Sequence, residues 1–273
     1  MGSALALDPG AALLVVVLGG LYAAGVRRLA RRDRCWSVAR AGAFGAGVAV
    51  VVAATQGPLA AAEAERFSLH VVQHLLLGMV APALLALGAP VTLALQASTR
   101  TTQTVLLRVL HGRVVTTLTH PVVAWLIFGG SLVVLYFSPL LELSLRNGFV
   151  HAAVHLQFLA AGGLFCWTAV GLDPMRWRLP HGARLLFVLL AVPVHAIVGL
   201  ALLGGSELVA GGFYRNAPSP LADQHLGGGL LWALGDLFGV VLAGVVLAQW
   251  MAHEERVGRR HDRLLDRSAA RLR

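Results

Sequence analysis

The sequence contains no lysine. All 22 of its basic residues are arginine, set against 13 acidic ones, for a formal net charge of +9. Lysine is the residue that forms Schiff bases with carbonyl compounds, so a retinal pigment of the rhodopsin type is excluded whatever the number of helices. Charge of either sign is scarce: 13% of residues are charged and 57% hydrophobic, whereas a soluble domain runs near a quarter charged. Cysteine is limited to Cys35 and Cys166, too few for a disulfide framework, and both are expected as free thiols. The first apolar run follows Asp8 rather than a basic stretch, so no cleavable signal peptide is read. Ala6 stands where a myristoylation signal needs Ser or Thr.

Long apolar runs take the place of the missing charge. Runs of about 18 or more apolar residues cross membranes as helices. They predict an all-α polytopic membrane protein with seven spans, at residues 11–26, 38–58, 67–95, 120–138, 148–170, 183–205 and 226–250. Pro82 and Pro90 are expected to bend the third span, and Pro193 the sixth. Residues 1–250 read as one transmembrane domain and 251–273 as a basic tail. The arginines sit in short segments between apolar runs, a pattern that argues for a lipid bilayer and against nucleic acid as the partner. They are dense at Arg27, Arg28, Arg31, Arg32 and Arg34, then at Arg100, Arg108 and Arg113, at Arg176, Arg178 and Arg184, and in the tail. The alternate loops carry Arg66, Arg146 and Arg215 singly. By the positive-inside rule the N-terminus is outside and the C-terminus in the cytoplasm. The stretch at 101–115 reads as a short helix on the cytoplasmic face.

Against this apolar background stand two histidine pairs, His70 with His74 in FSLHVVQHLLLG and His151 with His155 in FVHAAVHLQFL. Four residues advance about 6 Å along a helix and return to nearly the same face. Each pair is therefore two-pronged, and the assigned orientation puts both pairs at the same outer depth. His225 begins the last span at that surface, beside Asp223. One buried histidine reads as a hydrogen-bonded packing residue; two matched pairs point to a metal or a haem, because intramembrane polar groups are costly. Imidazole suits copper, zinc and iron, and Asp223 or Glu63 could add a carboxylate. Sulfur is not expected to help: Met79 falls on another face of the third span, and Cys166 lies about 16 Å deeper than His155. His195 and Asp236, both near mid-membrane, are read as a buried polar pair. Glu65, Arg66, Glu142 and Glu207 look like rim residues.

The blocks FSLHVVQHLLLGMVAPALLALGAPVTLAL, HAAVHLQFLAAGGLFCWTAVGLDP, PVHAIVGLALL and LADQHLGGGLLWALGD, in that order, resemble the CtaG-type assembly factors of caa-type cytochrome c oxidases. The resemblance covers residues 60 to 250 and implies a seven-span bacterial plasma-membrane protein that is not an enzyme. It further implies cytochrome c oxidase subunits as partners, and copper held by His70, His74, His151 and His155 on its way to the oxidase. Copper also exceeds zinc in affinity for nitrogen sites in the divalent series. Two other readings stay open at this point. A haem-binding electron carrier would use one histidine from each of spans three and five as axial ligands. A metal-ion transporter would need a polar path from the outer histidines past His195 and Asp236.

Overall fold

Proline marks where several helices begin, since its missing N–H costs nothing in a first turn. The computed structural model describes residues 6, 7 and 9 to 271. Helix α1 (Pro9–Ala30) is followed by α2 (Val38–Thr55), α3 (Pro58–Ala62) and α4 (Phe67–Leu75). A π-helical turn (Leu76–Val80) then leads into α5 (Ala81–Leu87) and α6 (Pro90–Ala97). Two short helices, α7 (Arg100–Leu110) and α8 (Arg113–Leu118), precede α9 (Pro121–Phe137), α10 (Leu140–Arg146) and α11 (Gly148–Val170). The chain closes with α12 (His181–Leu189), α13 (Val192–Leu203) and the 52-residue α14 (Pro220–Arg271). A two-residue antiparallel ladder, β1 (Ala6–Leu7) with β2 (Gln56–Gly57), is the strand content among the described residues.

Six helical segments are long and apolar enough to cross a membrane, and the α9–α10 pair, bent by 75°, is a seventh candidate. Helix α9 alone has 17 residues, at the short end of what spans a bilayer. The fold is thus that of an all-helical, polytopic membrane protein. Leu13, Val16 and Leu21 on α1 are each more than 60% exposed, as a lipid-facing helix requires. Helix α14 runs unbroken from Pro220 past Trp250 to Arg271, so the basic tail continues the last helix.

The third span is broken twice, and each break has a local cause. Pro82 has no N–H to offer the carbonyl of Gly78, and the preceding turn widens so that Ala81 N–H reaches Leu76 O instead. The freed Gly78 carbonyl lies against Gly162 of α11, where even a methyl group would collide with it. Gly162 thereby sets how closely α11 approaches the third span. The second break is at Ala89, in the left-handed region at φ 48°. Helix α6 restarts at Pro90, and its first N–H groups are capped by Asp173. That buried carboxylate accepts from Thr92 N at 2.7 Å, Thr92 Oγ1 at 2.6 Å, Val91 N at 3.3 Å and Trp167 Nε1 at 2.8 Å. Helix α11 ends at Gly171, and the guanidinium of Arg184 covers that end by donating to Val170 O at 2.8 Å.

Helix α14 packs along α13 and α4, α2 lies on α5, and α11 bridges α5 and α9. The main core gathers Phe67, Phe128, Leu132, Phe158, Phe165 and Leu231 between these helices. Gly199 and Gly228 let α13 and α14 touch backbone to backbone.

Candidate metal centre

The two histidine pairs face one another across the α4–α11 interface. Ring centroids are 4.1 Å apart within the His70–His74 pair and 4.2 Å within the His151–His155 pair. Across the interface, His70 to His151 and His74 to His155 are each 5.6 Å. The equal cross-distances show that the pairs are level, which follows from an i, i+4 repeat on two helices fixed by one glycine contact.

Glu63, in the turn after α3, completes the cluster from outside the spans. Its Oε2 lies 3.7 Å from His70 Nδ1, 3.5 Å from His151 Nε2 and 4.0 Å from His155 Nε2. Tyr214 holds the Glu63 backbone by donating from its hydroxyl to the Glu63 carbonyl at 3.1 Å; burial pushes that phenol up, so it stays a donor. Burial alone would raise the Glu63 carboxyl, but the neighbouring imidazoles of His151 and His70 outweigh it and hold the group down at about 2. Glu63 is therefore a carboxylate across the physiological range.

Gln73 orders the other side. Its Nε2 donates to the Ala54 carbonyl at 2.8 Å, which fixes the amide so that Oε1 points at His155 Nε2, 3.1 Å away. Because that oxygen only accepts, the His155 Nε2 proton turns toward it. His151 Nε2, 2.8 Å from His155 Nε2, competes for the same hydrogen. His70 and His74 are buried with both ring nitrogens lacking a hydrogen-bond partner, as does Glu63 Oε2. Buried polar atoms are ordinarily satisfied, and these unpartnered nitrogens have lone pairs that a cation could take.

Spacing agrees. Donor atoms of His70, His74 and His151 lie within 4.8 Å of one another, as do those of Glu63, His151 and His155. Two donors on one ion at about 2.0–2.1 Å can be at most about 4.2 Å apart, so small side-chain shifts suffice. Each of these two groups of three, which share His151, offers donors that fit a metal ion.

Other residues singled out in the sequence lie elsewhere. Asp223 sits in the first turn of α14 and caps α4, accepting from Ser68 Oγ at 2.5 Å and Ser68 N at 3.3 Å. His225 Nε2 bonds the Gly205 carbonyl at 2.8 Å. Neither belongs to the clusters above. His195 and Asp236 share the α13–α14 interface without a hydrogen bond between them: His195 Nδ1 donates to Ala191 O at 3.1 Å, and Asp236 Oδ1 is buried with no partner. Glu142 pairs with Arg146 at 2.9 Å on the rim. Gln73 and Tyr214 were not legible as site residues; a glutamine among apolar residues, one position before His74, was the available signal for the first.

Residues 20–253 match the cytochrome c oxidase caa3 assembly factor family. An uncharacterized protein of Mycobacterium bovis is 37% identical over 269 residues, and one of Mycobacterium leprae 33% over 267 residues. These alignments cover 94% and 93% of this chain but 40% of each relative, so the chain spans about two fifths of their length. No solved structure matches. With the match reaching from α1 into α14 and embracing every residue of the cluster, the chain belongs to the cytochrome c oxidase caa3 assembly factor family.

Proposed function

We propose that this protein serves oxidase assembly by binding one copper ion as cargo at Glu63, His70, His74, His151 and His155, and passing it to a cytochrome c oxidase subunit. The observation that carries this reading is the convergence of buried imidazoles without partners on a carboxylate held ionised. The carboxylate supplies one negative charge against the ion, and the imidazoles supply lone pairs. Gln73 and Tyr214 hold the donors in place, the role outer partners play at metal sites. The reading assigns no catalytic turnover. It places the cluster at the outer face of a bacterial plasma membrane, because arginine concentrates at the opposite helix ends.

A bare ion is favoured over haem by the ring spacing. Centroids 4.1 to 5.6 Å apart leave no slot for a macrocycle between the histidines. Elemental analysis and an absorption spectrum of the purified protein test this. One copper per chain, lost when His70, His74, His151 and His155 are all alanine, is expected; an unchanged copper content in that variant would falsify the assignment, and a strong Soret band without copper would establish haem in its place.

A further inference from the structure

Directly beneath the outer cluster, between α4–α5, α9, α11, α13 and α14, is a narrow space of about 20 Å³. One water needs about 10–15 Å³, so the space admits a single small particle. Its wall includes His74, Met79 and His195, with Phe128, Phe158 and Leu231 completing an apolar surround.

These three side chains are prepared as ligands in different ways. His74 is buried with neither ring nitrogen hydrogen-bonded. His195 donates its Nδ1 proton to the Ala191 carbonyl, which leaves the Nε2 lone pair free; backbone-anchored tautomers of this kind are the rule for metal-bound histidine. Met79, 4% exposed, contributes a thioether. An uninterrupted α-helix would turn Met79 about 140° away from His74, since five residues make about 500°. Met79 lies within the π turn at Leu76–Val80, where each residue advances less than in a regular α-helix, so the angle between the two side chains narrows. Although expected on another face of the span, Met79 lines the same cavity as His74. Gly235 permits the approach of α14 to His195, because a methyl there would meet the imidazole at 2.8 Å.

We infer that this cavity is a second, inner metal station selective for Cu(I), held by His74, Met79 and His195. Two neutral imidazoles and a thioether form a soft donor set. The cost of burying an ion grows as the square of its charge, so an apolar chamber favours a monovalent ion over Cu(II) or Zn(II). His74 belongs to both sites, and a neutral imidazole has one lone pair. The two stations therefore use His74 alternately, and an ion passes between them by exchange of that ligand.

The inference rests on the reading that the protein handles copper, and its test separates the two. Purified full-length protein is titrated anaerobically with Cu(I) against a Cu(I) chelator, and separately with Cu(II), with X-ray absorption recorded for each. Cu(I) is expected to show sulfur in its coordination shell. Met79→Leu, which conserves volume, is expected to remove that sulfur and weaken Cu(I) binding at least tenfold, with Cu(II) affinity unchanged within twofold. His195→Ala is expected to weaken Cu(I) binding likewise. A Cu(I) shell of nitrogen and oxygen only, insensitive to both variants, would overturn the inner station and leave the cavity to an ordered water. Loss of Cu(II) binding by the wild type, with the sulfur-bound Cu(I) retained, would instead overturn the outer site alone. If Met79→Leu fails to fold, selenomethionine labelling of the wild type decides: a copper–selenium path supports the station and its absence refutes it.

Discussion

The α-carbon of Gly162 on α11 rests against the carbonyl oxygen of Gly78, the one left without a helical partner by Pro82. This contact lies about one turn below His74 and two below His155, so it fixes the separation at which the histidine pairs meet. Gly162→Ala is expected to cost about 1–3 kcal/mol, the range for overpacking a tight core, and to reduce copper affinity by spreading α4 from α11. Gly130→Ala on α9, where an added methyl meets nothing, is the control. Thermal unfolding and copper titration of both variants check this; equal behaviour would show that the contact does not set the site.

The role of Glu63 predicts two separable pH effects. Its carboxyl is held at about 2 against an ordinary 4.5. A depressed carboxyl stabilises the fold fully above its unfolded value and loses that contribution as pH falls through the folded one. Stability of the metal-free protein should therefore decline between about 4.5 and 2, and Glu63→Gln should lack that part of the decline. Copper affinity should instead fall in acid as the imidazoles take up protons in competition with the metal, whereas protonation of Glu63 affects it only near the low value of that carboxyl. A copper profile with its midpoint in the carboxylate range would contradict this division.

His225, which lies outside both proposed stations, should be silent toward the metal. His225→Ala loses a bond to Gly205 O and should leave copper stoichiometry at the wild-type value. Asp223→Asn weakens the cap on α4 and should cost about 1 kcal/mol, again with stoichiometry intact. His74→Ala or His151→Ala should abolish outer-site binding in folded protein. Dialysis followed by metal analysis distinguishes these outcomes, and a copper deficit in His225→Ala would place that residue in the site.

What the sequence revealed, and what it hid, divides by range. The spans were readable because hydropathy is local, and the two pairs because an i, i+4 repeat is a property of one helix. Their alignment was inferable from orientation alone. The tasks of Asp223 and His225 were not, because a side chain at a helix start can turn to a neighbouring backbone as readily as to a cluster; Asp223 turned to Ser68. The place of Met79 beside the same cavity as His74 was hidden for a different reason. Helix geometry is not regular across 76–80, and the extra residue of a π turn has no periodic signature.

Asp173 joins three parts of the chain at the end of the bundle away from the histidine pairs: the start of α6, Trp167 on α11 and its own loop. Asp173→Ala strands Thr92 N and Trp167 Nε1 in the interior and is expected to destabilise by about 2–3 kcal/mol, since orphaned buried donors carry their full desolvation cost. Unfolding in detergent measures it; a change below about 0.5 kcal/mol, the scale of ordinary surface substitutions, would show that water replaces the carboxylate.

The widened turn at Leu76–Val80 makes the protein unusually sensitive to chain length rather than to residue identity. Removing a single residue there would let the helix close into regular α geometry, with every backbone bond outside Pro82 satisfied. The whole outer segment, from Phe67 to Leu75, would then rotate about 100° relative to the anchored inner half. His70 and His74 would swing off the α11 interface together, and Met79 would lose its alignment with His74. Each side chain of both stations would still be encoded, and neither station could form.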